Sequence, residues 1–344
     1  MLTLRKPYLV FLGDVQSAVE AKTAFGVVDW CADDVIGELR LPGCLVSTGK
    51  ALMTIAQAAS AGAGSLLIGV APIGGRLPSA WLPVLREALR AGLDVVSGLH
   101  TPLTSFPELV EAAAAARVRL HDIRHGEWPR VTGTGRKRSG RRLLTVGTDC
   151  ALGKKYTALA LTRALQARGR PATFRATGQT GVMISGSGVA IDAVVADFIA
   201  GVAEQLSPDN SAEHWDLIEG QGSLFHPAYA GVSLGLLHGS QPDAFVLCHD
   251  PSRVHLHGFP AVPTPALGDA IQAYVQAGRV THAGIRCVGI SINSSSLDDA
   301  AWFDYRQRLQ AELGLPVVDP MRGGVAALAD ALIKDFSTET PELT

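Results

Sequence analysis

Residues 143–161, LLTVGTDCALGKKYTALAL, constrain this chain more than any other stretch. Leu143, Leu144 and Val146 form an apolar run suited to a buried strand. At Gly147 the run passes into a loop holding Gly153 and Lys154, and an amphipathic helical pattern follows through Ala158, Leu161 and Leu165. Strand, glycine-bounded loop and helix in that order are the setting of a phosphate-binding loop. Backbone N–H groups and the positive dipole end at a helix start attract an anion, glycines let the chain approach it, and a lysine adds a point charge. The candidate contacts are Gly147, Thr148, Asp149, Cys150, Gly153, Lys154, Lys155, Tyr156 and Thr157. The spacing departs from the common pattern. Five residues separate the two glycines, and the first Ser or Thr after Lys154 is Thr157. The hydroxyl that ligates Mg²⁺ directly after the lysine is therefore absent from its place.

A chain of 344 residues is long enough for two α/β domains, each with its own core. With 47% apolar and 18% charged residues it has the profile of a well-buried protein. No apolar run reaches the roughly 18 residues that span a bilayer. Gly13-Asp14 also ends the amino-terminal apolar patch before a secretory core forms. A cytoplasmic protein is expected. The five cysteines are far apart and contain no CxxC pair, which argues against a disulfide framework or a zinc site. Cys150 lies in the glycine-rich loop, where it is either a small packing residue or a thiol activated by the helix start. A net charge of −2 gives no electrostatic grip on nucleic acid.

Residues 1–125 read as a first domain, with strand-like runs at 8–12, 65–70 and 94–97 and helical patterns at 49–61, 80–92 and 107–117. Strands alternating with helices imply a parallel sheet covered on both faces, with ligands beyond the carboxyl ends of the strands. Gly13-Asp14, residues 69–75 and residues 97–100 fall at those ends. Ser47-Thr48-Gly49-Lys50 reads as a helix cap followed by an exposed lysine. Residues 126–142 hold several glycines, two threonines and six Arg or Lys residues, and read as a flexible basic linker. That run is either solvated or close enough to approach a phosphate at the neighbouring loop. The second domain, 143–344, has apolar runs at 143–146, 172–175, 215–218, 244–248, 288–292 and 315–318, with helices at 154–168, 191–206, 266–277, 298–313 and 323–335.

Within it, Arg175-Ala176-Thr177-Gly178-Gln179-Thr180-Gly181 is a polar strand-end loop suited to wrapping a small substrate. Its Arg175 offers the two-pronged contact that a carboxylate or phosphate favours, and Thr177, Gly178, Gln179 and Thr180 supply further donors. In the helix predicted over 191–206, Val195, Ile199, Val202 and Leu206 share one face, while Asp197, Gly201 and Glu204 share the other. Asp197 is thus a solvated residue or a base facing the pocket. Glu219 follows the apolar run Trp215-Asp216-Leu217-Ile218, at the place where nucleoside-triphosphate enzymes put a metal-linked carboxylate. His226 lies shortly beyond it and is a second candidate base. Asn293-Ser294-Ser295-Ser296 ends a later strand without the pattern of a guanine reader.

GTDCALGKKYTALAL, RATGQTG, IDAVVADFIAGVAEQL and DLIEGQGSLFHP, in this order behind an α/β domain, together resemble the DUF1611 family, which includes D-glutamate N-acetyltransferases. Two of these strings, GTDCALGK and DLIEGQG, are also similar to those of dethiobiotin synthetase. The resemblance covers nearly the whole chain. It implies a Rossmann-like amino-terminal domain followed by a P-loop NTPase-like α/β domain, and acetyl transfer from acetyl-CoA to the amino group of D-glutamate. Acetyl-CoA would then be the co-substrate, its pyrophosphate at residues 147–157. Because no phosphate is cleaved, the missing Mg²⁺ hydroxyl is no obstacle. Glu219, Asp197 or His226 would take the amine proton and Arg175 would hold a substrate carboxylate. The expected partners are a small amino-acid substrate and further copies of the chain, with no membrane and no nucleic acid. Two other readings remain: an ATP- and Mg²⁺-dependent ligase or kinase of the dethiobiotin synthetase type, and a nucleotide-binding sensor without turnover.

Overall fold

The computed structural model describes residues 2–18, 20–70, 72 and 75–337, and the chain forms two units. Residues 1–128 and 178–193 make up the first, and residues 129–177 and 194–344 the second. Among the described residues no helix is long and apolar enough to cross a membrane.

The first unit is built on five parallel strands, β1 Tyr8–Gly13, β2 Val35–Arg40, β3 Ser65–Ile68, β4 Asp94–Ser97 and β5 Leu120–Asp122, in the order β2-β1-β3-β4-β5. Every residue of β1, β3 and β4 is buried, as their near-continuous apolar runs require when helices cover both faces. Those helices are α1 Lys22–Trp30, α2 Ile55–Ser60, α3 Leu82–Arg90 and α4 Pro107–Ala116. Two sequence expectations change here. The helix predicted from residue 49 starts at Ile55, capped by Thr54 and Gln57 in a reciprocal capping box. Ser47 and Thr48 instead donate to the buried Glu38 carboxylate. Gly13-Asp14 supports packing: a Cβ on Gly13 would lie 2.4 Å from the Trp81 ring, and Trp81 Nε1 donates to Asp14 Oδ1 at 3.0 Å. Of the strand-end run 69–75, Ala71, Ile73 and Gly74 lie outside the described residues.

Segment 178–193 completes this unit. Its helix α6, Gln179–Ser185, meets α1, and Ser187–Gly188 pairs antiparallel with Leu2–Thr3.

The second unit holds six parallel strands: β6 Arg141–Gly147, β7 Ala172–Arg175, β8 Trp215–Ile218, β9 Ala244–His249, β10 Arg286–Ile292 and β11 Val317–Val318. Their order, β11-β10-β9-β6-β8-β7, places β6 between β9 and β8. The strand sequence reverses direction beside β6, where parallel sheets bind ligands. Helices α5 Lys154–Gln166, α7 Ile199–Leu206, α8 Ala230–Ser240, α9 Leu267–Gly278, α10 Asp299–Leu313 and α11 Ala326–Ser337 complete the unit. One core cluster joins Leu143, Leu161, Leu165, Leu217, Val246 and Leu328, each fully buried and worth about 1.5–3 kcal/mol on transfer from water.

The helix predicted over 191–206 is confined to α7. Residues 191–193 and 196–198 are separate 3₁₀ turns, and Val195, assigned to the buried face, is 63% exposed. Glycines bring α8 against α7: a Cβ on Gly239 would come 2.2 Å from the Ala200 carbonyl oxygen.

Residues 129–137 are exposed, but the run is anchored at its carboxyl end. Arg142 is fully buried and donates to the carbonyls of Arg138, Ser139 and Pro208, while Arg138 donates to those of Gly239 and Ser240. Arg136 pairs with Asp209 and Lys137 with Asp243, each at 2.6 Å. Arg136, Lys137, Arg138 and Arg142 therefore fasten this strap to the second unit. Burial alone raises the Asp243 carboxyl, but contacts from His282, Lys137 and the Arg142 N–H outweigh it and hold it at about 2, below its ordinary 3.8. A depressed carboxyl stabilises the fold above its unfolded pKa, so about 2 kcal/mol is present above pH ~4 and is lost as pH falls toward 2. Acid unfolding monitored by circular dichroism is expected to show this slope, and Asp243→Asn to flatten it.

Candidate functional site

The loop after β6 turns on two positive-φ residues, Ala151 at 56° and Gly153 at 99°, and Gly153 opens α5. No side chain caps the thirteen-residue helix, so its positive end faces the loop. Lys154 folds back into that loop and donates from Nζ to the Asp149 carbonyl at 2.8 Å. Glycines make room for it: a Cβ on Gly147 would lie 3.2 Å from Lys154 Nζ, and one on Gly220 3.1 Å from Lys154 Cδ. Burial pushes the Lys154 ammonium below the usual lysine range, partly opposed by Asp149 and Glu219 among its neighbours. Lys155 is lowered by burial in the same way and also feels Glu219; its Nζ lies 4.5 Å from the centre of the Tyr156 ring. A buried cation at an uncapped helix start is what an anionic ligand tail needs.

The loop is fixed from outside. Ser223 and Tyr274 hydroxyls donate to the Gly147 carbonyl at 2.8 and 2.9 Å, Thr148 Oγ1 meets His249 Nδ1 at 2.9 Å, and Arg253 and the His257 N–H hold Asp149 Oδ2. Thr148 and Asp149 thus brace the loop. Thr157 is fully buried, with Oγ1 donating to the Gly153 carbonyl and meeting Ser291 Oγ at 2.7 Å, so its hydroxyl packs and does not face the loop. Burial raises the Cys150 thiol, partly opposed by Lys154 nearby, and so disfavours its thiolate form.

Glu219, 4% exposed, follows β8 next to β6. Its Oε2 accepts the Thr177 N–H at 3.0 Å, and Thr177 Oγ1 donates to its carbonyl at 2.5 Å. Thr177 therefore positions Glu219. Arg175 Nε donates to Asp216 Oδ1 at 2.7 Å, so the guanidinium pairs with a neighbouring strand. The predicted substrate loop divides at this point, since Gly178, Gln179 and Thr180 belong to the first unit. There Gln179 Oε1 accepts from Arg124 Nε at 2.8 Å, and Thr180 Oγ1 lies 3.5 Å from Thr23 Oγ1. Asp197 sits exposed on a 3₁₀ turn. His226 is 2% exposed and both ring nitrogens are engaged: Nδ1 accepts the Ala228 N–H, and Nε2 lies 3.1 Å from the His257 carbonyl. No lone pair is left to accept a substrate proton. Asp149, Cys150 and His226 bring potential metal-ligand atoms within 4.8 Å of one another. The donor set does not suit a metal, because the imidazole is committed and the carboxylate already bonds the Cys150 N–H, Arg253 and His257.

Residues 130–329 match the DUF1611 P-loop domain and residues 44–126 the DUF1611 amino-terminal Rossmann-like domain, each described as a domain of unknown function. This chain belongs to the DUF1611 family. A protein of Pseudoalteromonas named D-glutamate N-acetyltransferase is 48% identical over 95% of this chain and 98% of its own length. One of the same name from Tritonibacter scottomollicae is 46% identical over 96% and 99%. The crystal structure of a DUF1611 protein from Anabaena variabilis aligns with a TM-score of 0.82 and 33% identity, over 96% of this chain and 100% of that one. The two domains are thus the Rossmann-like and P-loop folds expected from sequence. In this DUF1611 chain Arg253, His249, Ser223 and Tyr274 brace the loop. Residues 249–253 follow the apolar run 244–248, but their pairing with residues a hundred positions away has no local signal.

Proposed function

We propose that this chain transfers the acetyl group of acetyl-CoA to the amino group of D-glutamate. The carrying observation is 48% identity, over nearly the full length of both proteins, to a D-glutamate N-acetyltransferase. The P-loop fits the co-substrate: its buried Lys154 and uncapped α5 suit a pyrophosphate, and the buried hydroxyl of Thr157 supplies no Mg²⁺ ligand. Acetyl-CoA brings an activated thioester. The chain's own residues bind it at 147–156, exclude water and manage the amine proton. Glu219 is the base this reading selects, since Asp197 is solvated and His226 has no free nitrogen. Its carboxylate is held by Thr177, and it would take the proton that an ammonium must lose before attacking a carbonyl. Backbone N–H groups of the glycine turns would serve the oxyanion.

Thiol release from acetyl-CoA, measured across D- and L-amino acids, is expected only with D-glutamate and without added metal. Lys154→Ala is expected to raise KM for acetyl-CoA by at least about tenfold, the scale of a lost charge-assisted contact. Release of ADP from Mg²⁺-ATP with no thiol formed would replace this reading with a ligase or kinase.

A further inference from the structure

At the amino end of the first unit's sheet, opposite the strand ends where ligands of such sheets usually sit, Arg5, Asp94, Arg117, Arg119 and His121 line a cavity of about 330 Å³. Asp94 opens β4 and is 1% exposed, and its carboxylate is fully engaged. Oδ1 accepts the Arg119 N–H at 2.9 Å and Arg5 Nη1 at 3.2 Å, while Oδ2 lies 3.1 Å from Nε2 of the buried His121. The arginines come from three separate places in the chain. Arg5 precedes β1 and has its carbonyl held by Ser65 Oγ, Arg119 precedes β5, and Arg117 ends α4 in the left-handed region at φ 55°. Among the described residues, the Arg117 and Arg119 guanidinium groups have no hydrogen-bond or ion-pair partner. With Asp94 balancing one charge, the cavity keeps an excess of two positive charges and no free carboxylate.

We propose that this cavity binds a small dianion. Guanidinium groups grip carboxylate and phosphate oxygens in two-pronged contacts, and three from different segments surround an oxyanion in a way one surface arginine does not. The volume lies at the small end of ligand pockets, so the occupant is a phosphate-sized or short dicarboxylate anion and not a coenzyme. The site does not use Lys154 or Glu219, and it stands independently of the acetyl-transfer reading.

His121 in the cavity wall reports on binding. In ¹H–¹³C spectra of the full chain, with its ring signal assigned through His121→Gln, inorganic phosphate and succinate are titrated separately at constant ionic strength. The His121 signal is expected to shift saturably at millimolar anion, and the anion that moves it identifies the oxyanion source. Arg117→Asn with Arg119→Gln, which keeps a residue suited to the left-handed backbone, is expected to weaken this response at least about tenfold. Lys154→Ala is expected to leave it unchanged. A His121 signal unmoved by either anion, or moved equally in the double variant, overturns the proposal.

Discussion

Replacing Glu219 by glutamine is expected to lower kcat for acetyl transfer by about 10²–10⁴-fold, the usual contribution of a positioned general base. The substitution is nearly isosteric, and the amide oxygen still accepts the Thr177 N–H that Glu219 Oε2 accepts now. Thermal stability and KM for acetyl-CoA should therefore change little, which separates loss of proton transfer from loss of structure. Asp197→Asn, altering an exposed carboxylate, should leave turnover close to the parent value. Full turnover in Glu219→Gln would move the base elsewhere and remove the role assigned to this acid.

The largest effect on stability is expected one residue further on, from Gly220→Ala. The added Cβ would lie 1.6 Å from the Thr145 carbonyl oxygen and 2.8 Å from its carbon, both on the backbone of β6. A flexible side chain can move aside, but here the neighbour is main chain in the centre of the sheet. The turn and the Gly220 N–H bond to Thr145 Oγ1 would have to separate. The cost should exceed about 3 kcal/mol, beyond ordinary overpacking, and lower the melting temperature by roughly 10 °C for a domain of this size. Gly231→Ala is the control: nothing lies within 4 Å of its Cβ position, and it sits in α8. A small gain of about 0.5–1 kcal/mol is expected there. Equal melting temperatures for the two variants would contradict the close approach described for Gly220.

These two neighbours show what was legible in the sequence. An acid at the end of an apolar strand, followed by glycines, marks Glu219 because strand, turn and polarity are local properties. The apolar runs of β1, β3, β4, β6 and β9 were readable for the same reason. β2 was not, since VIGELR carries a buried Glu38 that pairs with Arg40 and whose hydroxyl partners, Ser47 and Thr48, lie nine and ten residues on. Helix α8 escaped notice because its glycines weaken the helical pattern while allowing contact with α7. The Arg175–Asp216 pair has no local signal, since its partners lie 41 positions apart and meet only once β7 and β8 pair. The anchoring of the basic strap has no signal in composition, which reports charge without acceptors, and here many of the acceptors are main-chain carbonyls.

The return of residues 178–193 to the first unit sets an order on synthesis. A ribosome releases residues 1–128 well before α6 exists, so the amino-terminal unit waits for its last helix until residue 193 has emerged. By then β6 and β7 are already out, yet they do not pair with each other, because β8 belongs between them and follows about twenty residues later. Until β8 emerges the nascent chain carries two strands without their shared neighbour, the kind of exposed template on which chaperones act and misassembly begins.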